Sequence, residues 1–365
     1  MALTLTEEEQ ALADSVRKFV ADRSPLSSLR QLIASGQPYD ADVWKQLSAQ
    51  LGLAGLIIPE SYGGAGAGVS ALSVALTELG AGLVASPLLA SVLAAQALLR
   101  LDDESARAEL LPPIAAGELI ATLALTSGFG AQVSVAGTGG SSASTDGTAP
   151  LNGTISPVLN GTEADVLLVP AAGNIYLVDG RAEGLTRVKL TAVDHSRSLA
   201  RIGLHATPAR ALQGDGAAAL ASAQDLADLA VASECAGAMR ACLDMTAGYA
   251  KIRVAFGQPI GAFQAVKHRL ADMATAWELG SAALRDAARA GDEDPGRFGV
   301  AASVARVLLS GAYAEAAVDT IHLHGGIGFT WEHDAHLYYK NGLSNKVLFG
   351  APGEQLDRLA GQLGI

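Results

Sequence analysis

Cysteine is almost absent: the 365 residues contain two, Cys235 and Cys242. On a helix, a spacing of seven puts both on one face about two turns apart, too far for a disulfide. No disulfide framework and no metal-ligand spacing can be built from them. Both read as small buried apolar residues of a protein kept in a reducing, cytoplasmic compartment. Charged residues are scarce at 17%, while 50% are hydrophobic, which excludes a disordered chain. Basic residues number 25 against 37 acidic ones, a net charge of −12. Surplus carboxylates repel a phosphate backbone, so nucleic acid is excluded as a partner. The opening MALTLTEEEQ lacks the basic start and apolar core of a signal peptide. One uncharged segment, residues 80–99, approaches membrane-spanning length but holds Ser86, Pro87, Ser91 and Gln96. It reads as a buried helix entered near Pro87, with no membrane contact.

What is present falls into blocks. Thr6 and Glu9 fit a capping box, and Leu12, Val16, Phe19 and Val20 follow at helical spacing. A second helix opens at Asp40 and runs through Trp44 and Leu47. Helical patterns continue from about Ser70 to Ala116, interrupted at Pro87 and at Pro112 and Pro113. The texture then changes. Residues 120–126, 166–169 and 175–178 are short strand-like runs, and residues 137–147 (GTGGSSASTDG) form a low-complexity loop. From Gly214 onward the pattern is helical again, with a turn at residues 257–261 and helices at about 217–253, 263–290, 299–323 and beyond His333. Helices, then strands, then helices give an α+β, mainly α chain with segregated layers, not a doubly wound sheet. We expect an N-terminal helical domain (1–118), a small antiparallel β domain (119–212) and a C-terminal helical domain (213–365) able to form a four-helix bundle.

Three segments carry a resemblance: LGLAGLIIPESYGGAG at 51–66, YAKIRVAFGQPIGAFQAVKHRLADM at 249–273 and HGGIGFTWE at 324–332. Together, and in this order, they resemble the acyl-CoA dehydrogenase family, and they are most similar to small-subunit members of actinobacterial lipid or steroid degradation. The resemblance implies FAD as cofactor, an acyl-CoA substrate and a flavin-linked electron acceptor. It implies α,β-dehydrogenation with a carboxylate base at the α-carbon. By the same resemblance, Arg253, Phe256 and Gln264 contact the dinucleotide across a subunit interface. His322, Gly325 and Gly326 touch it too. Read alone, Arg253 is a helix-end cation, Phe256 and Phe263 are core residues, and the two glycines end a helix. His322, His324, His333 and His336 cluster in sequence without the spacing of a metal site, and no metal is expected.

The departures from the family are as informative. The family's base is a Glu in a "YEGT" segment, where Phe349 stands here, or a Glu early on the long helix, where Ala227 stands. Asp228 follows where an Arg is usual. Leu159 replaces the threonine hydroxyl of the family's "WITN" stretch, the "TEPxAGSD" stretch shrinks to TSGFG at 126–130, and His322 replaces the usual Gln. No catalytic residue remains at the family positions. The one relocated candidate, Glu234, lies seven residues beyond Ala227, about 10 Å along the helix and out of proton-transfer reach in the usual pose. Glu332 matches a Glu that is structural in the family. The reading is therefore a subunit of a heteromeric, tetramer-type enzyme whose partner supplies the base. Two alternatives stay open: a self-sufficient homo-oligomer with a relocated base, and a non-catalytic acyl-CoA- or partner-binding protein.

Overall fold

The computed structural model describes residues 4–125, 131–135 and 148–365. The expected loop at 137–147 and the TSGFG stretch lie outside the described residues. Six helices come first: α1 (Glu7–Arg23), α2 (Leu26–Ser35), α3 (Ala41–Ala49), α4 (Gly68–Ala81), α5 (Leu88–Arg100) and α6 (Glu104–Ala115). Seven strands follow: β1 (Ala121–Leu123), β2 (Ala131–Val135), β3 (Thr148–Leu159), β4 (Val166–Ala171), β5 (Asn174–Asp179), β6 (Leu185–Lys189) and β7 (Leu199–Ala211). The long α7 (Gly216–Ile252) leads into a small hairpin, β8 (Val254–Ala255) and β9 (Gln258–Pro259). The chain ends with α8 (Gln264–Glu293), α9 (Pro295–His324), α10 (Ala335–Val347) and α11 (Pro352–Leu363). The helix–strand–helix order is as the sequence implies. No helix among the described residues is long and apolar enough to cross a membrane.

By packing, the chain forms two compact units. One joins Gly36–Gly68 to Ala85–Ala227 and contains the seven-stranded sheet. The sheet is not wholly antiparallel, contrary to expectation: β1 pairs with β4 in parallel, Ala121 opposite Val166. Residues 124–165 separate the two strands, long enough for a crossover that a local strand pattern does not reveal. β7 pairs with β3 along nearly its whole length and offers its other edge to β6 and β5. Gly153 makes the register shift in β3 feasible: its φ is +142°, and a Cβ there would lie 1.8 Å from the Gln132 carbonyl oxygen. α5 enters after Pro87 as read from sequence and is almost entirely buried. α6 runs through Pro112 and Pro113 instead of stopping. Both sit in its last turn, where only two amide bonds are lost, and burial of Leu110, Leu111 and Ile114 offsets that loss.

The other unit joins Met1–Ser35, Val69–Val84 and Asp228–Ile365. The capping box forms: Thr6 Oγ1 accepts from the Glu9 amide at 3.2 Å, and the Glu9 carboxylate accepts from the Thr6 amide at 2.7 Å. α2 was not legible, because Pro25, Ser27 and Ser28 mask its apolar period. α4 is capped from a distance, the Asp292 carboxylate accepting from Val69 and Ser70 amides at 2.6 and 3.0 Å. α4 and α7 cross nearly backbone to backbone. A Cβ on Gly237 would sit 1.8 Å from the Thr77 carbonyl oxygen, and one on Gly80 2.4 Å from that of Glu234. Ser73 and Ser233 share a hydrogen bond of 2.8 Å at the same crossing. Both cysteines lie buried on α7 and are not bridged, and burial pushes the Cys242 thiol up to about 12.

Gly237→Ala therefore forces the helices apart and is expected to cost about 1–3 kcal/mol in a urea melt. Gly248→Ala, on the same helix with nothing within 4 Å of its Cβ, is expected to be neutral or to stabilise by up to about 1 kcal/mol.

Candidate functional site

All candidate dinucleotide contacts lie at one end of the second unit, where α7 and α9 both terminate. α7 ends at Ile252, and the chain reverses through β8 and β9, with Val254 opposite Pro259. Phe256 and Gly257 form the two-residue turn with φ of +53° and +82°. Two positive values give the primed turn that matches strand twist. Gly257 adopts this without strain, whereas Phe256 does so at a cost and is 96% exposed. Its ring pairs with that of Phe263 in a T-shaped arrangement, 6.2 Å away at 90°. Neither phenylalanine is the core residue that sequence alone allows; Phe263 is half-buried. Arg253 and Gln264 are exposed beside this turn. Phe263 provides no side-chain cap to α8, so the amides of its first turn stay open at Gln264 and Ala265.

α9 ends at His324, and Gly325 adopts φ +63°, outside ordinary L-residue space. Nothing lies within 4 Å of a Cβ placed on Gly325 or Gly326. Packing within this chain therefore leaves the backbone of both glycines open to an external group. His322 is exposed in the last turn of the same helix.

Two contacts bring the hairpin and the glycine turn together. Thr246 Oγ1 on α7 donates to Thr320 Oγ1 on α9 at 3.1 Å. One turn further on, the rings of Tyr249 and His324 stack at 4.4 Å and 28°. The His333 ring also packs against His324, with centroids 4.4 Å apart and the planes tilted by 50°. His324 Nδ1 donates to the Thr320 carbonyl at 2.7 Å, while its Nε2 is buried with no hydrogen-bond partner. Desolvation lowers the pKa of His324, His333 and His336. Lys340 and Arg30 lower that of His336 further. Arg30 clamps the following turn by donating to the Asp334 carboxylate at 2.7 and 3.0 Å and to the Trp331 carbonyl. This histidine–tyrosine stack was missed in the sequence. Its only trace was His324 preceding the glycines, with Tyr249 at the head of the Arg–Phe–Gly segment. Among the described residues, no three His, Cys, Asp or Glu side chains are grouped to hold a metal ion.

Neither of the two positions that the sequence resemblance would give to a base, Ala227 and Phe349, holds a carboxylate, and their neighbours are committed. Ala227 is fully buried. Asp228 is buried, paired to Arg358, and accepts from Ser303 Oγ at 3.3 Å. Phe349 is half-buried with φ +59°. The carbonyls on either side of it are held: Arg306 donates to Leu348 at 2.7 Å, and Gln355 to Gly350 at 2.7 Å. Glu234 is half-buried on α7 where Gly80 crosses it. In the sheet unit, Leu159 is buried and brings no hydroxyl. Glu332 is exposed, its own amide and Thr330 holding its carboxyl below the usual range.

Comparison with known proteins bears on this arrangement. The family description "Acyl-CoA dehydrogenase, N-terminal domain" matches residues 6–118, and "Acyl-CoA dehydrogenase, C-terminal domain" matches residues 214–364. The chain belongs to the acyl-CoA dehydrogenase family. Acyl-CoA dehydrogenase IpdE2 of Mycobacterium tuberculosis is 34% identical, the match covering 99% of each chain. Among solved structures, a variant of the Tcur3481–Tcur3483 steroid ACAD is 32% identical with a TM-score of 0.88, covering 99% of both chains. A chain of the ChsE4–ChsE5 complex from Mycobacterium tuberculosis is 30% identical with a TM-score of 0.90, covering 100% of this chain and 99% of that one. Acyl-CoA dehydrogenases are FAD-dependent oxidoreductases. The residues present fit an anionic dinucleotide. The exposed Arg253 guanidinium has no ion-pair partner among the described residues, two α8 amides are uncapped, and the glycine backbone is open.

The lowered histidines set a pH dependence. A histidine kept neutral in the fold protonates more readily in the unfolded chain, so stability is lost as pH falls through the unfolded value of about 6.5. Thermal melts are expected to show a falling Tm between about pH 7.5 and 5.5. His324→Phe, which retains a ring against Tyr249, is expected to shallow that slope.

Proposed function

We propose that the chain is a subunit of a heteromeric FAD-dependent acyl-CoA dehydrogenase. In this reading it contributes the dinucleotide half of a shared flavin site, and a partner subunit contributes the base. One contrast carries the proposal. Arg253, Phe256, Gln264 and the glycine turn are exposed and uncommitted, whereas Phe349 and Ala227 occupy the base positions. The similarity to the Tcur3481–Tcur3483 and ChsE4–ChsE5 proteins supports a heteromer, and that to the Tcur3481–Tcur3483 steroid ACAD supports a bulky, steroid-type acyl group. The three domains expected from sequence, a flavin-linked electron acceptor and a reducing cytoplasmic setting belong to the same reading.

FAD, when bound, supplies the two-electron acceptor for α,β-dehydrogenation of the thioester. This chain's own part is binding and positioning. Arg253 neutralises phosphate charge at the ends of α7 and α9, whose C-terminal carbonyls would otherwise repel it. The open amides of α8 add donors on the same side. Gln264 and His322 would supply hydrogen-bonding groups to the dinucleotide, and the exposed Phe256 ring would supply an apolar face to it. Gly325 and Gly326 let backbone approach closely. Asp228 does not serve as a base, because its carboxylate is tied to Arg358 and Ser303. Glu234 is not assigned as one.

Flavin absorbance per chain and native mass test this on the chain alone and co-expressed with a catalytic dehydrogenase subunit. A yellow mixed oligomer with fewer flavins than chains is expected. One flavin per chain in a homo-oligomer, bleached by an acyl-CoA, would sink the half-site reading and favour a relocated base. An assembly free of flavin that still binds thioester would favour a non-catalytic protein. In the mixed complex, Arg253→Ala is expected to weaken FAD by about 10- to 100-fold, the effect of losing a charged hydrogen bond.

A further inference from the structure

A cavity of about 560 Å³ opens inside the helical unit, away from the dinucleotide end. α1, α4, α7 and α8 wall it. Most of the lining is apolar, Val74, Ala81, Trp277 and Leu284 among it. Its nearest α7 residue to the hairpin, Asp244, stands nine residues before Arg253, about 13 Å along the helix axis. The volume falls in the range of small-molecule sites, which pair apolar walls with a few convergent polar groups.

The polar groups here are unequal. Arg17 donates from Nε and Nη2 to the Glu78 carboxylate at 3.0 and 2.7 Å, a bidentate pair. Arg240 donates to Asp244 at 2.9 Å and stacks 4.8 Å above the Trp277 ring. Arg285 has no such carboxylate: among the described residues it forms no ion pair, and its Nε is buried without a hydrogen-bond partner. A buried guanidinium N–H left unmade is costly, and the matching acceptor is an anionic oxygen. Ser281, one turn earlier on the same face of α8, also lines the cavity and adds a hydroxyl. With Glu78 and Asp244 neutralised by Arg17 and Arg240, the lining carries one net positive charge, so a dianionic phosphate would leave excess negative charge beside the two carboxylates. A single carboxylate balances Arg285 without that repulsion.

We propose that this cavity binds an amphipathic carboxylate, its apolar body against Trp277, Val74 and Leu284 and its carboxylate on Arg285 and Ser281. The site is separate from the flavin contacts and does not depend on whether the chain shares a flavin. Octanoate is the probe, and 1-octanol is its neutral counterpart. Calorimetry and Trp277 fluorescence on the purified chain, in the assembly it forms, are expected to show saturable octanoate binding below about 1 mM. Arg285→Leu is expected to weaken octanoate at least about tenfold while leaving octanol within about twofold. Ala241→Trp, which fills the cavity, is expected to remove both ligands. Circular dichroism melts of each variant confirm that it is folded. Absence of saturable octanoate binding to the unaltered chain overturns the proposal. So does equal affinity of octanoate for the unaltered chain and Arg285→Leu.

Discussion

The seating of α7 against α9 is the constraint on which the candidate site depends. Two helices ending side by side place their unsatisfied carbonyls together, and that end is electronegative by itself. The Thr246–Thr320 hydrogen bond and the Tyr249–His324 stack hold the two ends in register. That register brings the hairpin carrying Arg253 and Phe256 beside the turn of Gly325 and Gly326. The cation, the open amides of α8 and the bare glycine backbone then convert an electronegative end into one suited to an anion. The stack also explains why the pKa values of His324 and His333 are lowered: both are packing groups first, with desolvation opposing their charge.

The same unit shows how the segments where the sequence resemblance would place a base are held. Phe349, at one of these candidate positions, takes a left-handed conformation between two carbonyls held by Arg306 and Gln355. The Asp228 carboxylate, next to the other position, is drawn into an ion pair with Arg358. A buried charge must be paired, and one that is paired and hydrogen-bonded is poorly placed to accept a substrate proton.

Much of the fold was legible where local chemistry decides it. The Thr6–Glu9 box, the entry of α5 after Pro87, the helix opened by Asp40 and the Gly257 turn all depend on residues within a turn of each other. The parallel β1–β4 pair was not legible, because its partners lie more than forty residues apart. α6 continued through two prolines because burial of its apolar face outweighs two lost hydrogen bonds. The candidate dinucleotide residues could be named from their motifs, but neither the stack that aligns them nor the commitment of Asp228 could. The unpaired Arg285 was invisible, since its lack of a partner depends on four helices distant in sequence.

The sequence by itself determined the family and the order of helices, strands and helices. These follow from residue identity and short spacing. Tertiary structure alone decided which charges are spent and which remain free. Arg17, Arg240 and Arg285 look alike in sequence, yet two are neutralised across or along helices and one is not. The Arg240–Asp244 pair follows from spacing within α7, but the Arg17–Glu78 pair and the isolation of Arg285 depend on distances of a few ångströms between elements, and only packing sets those.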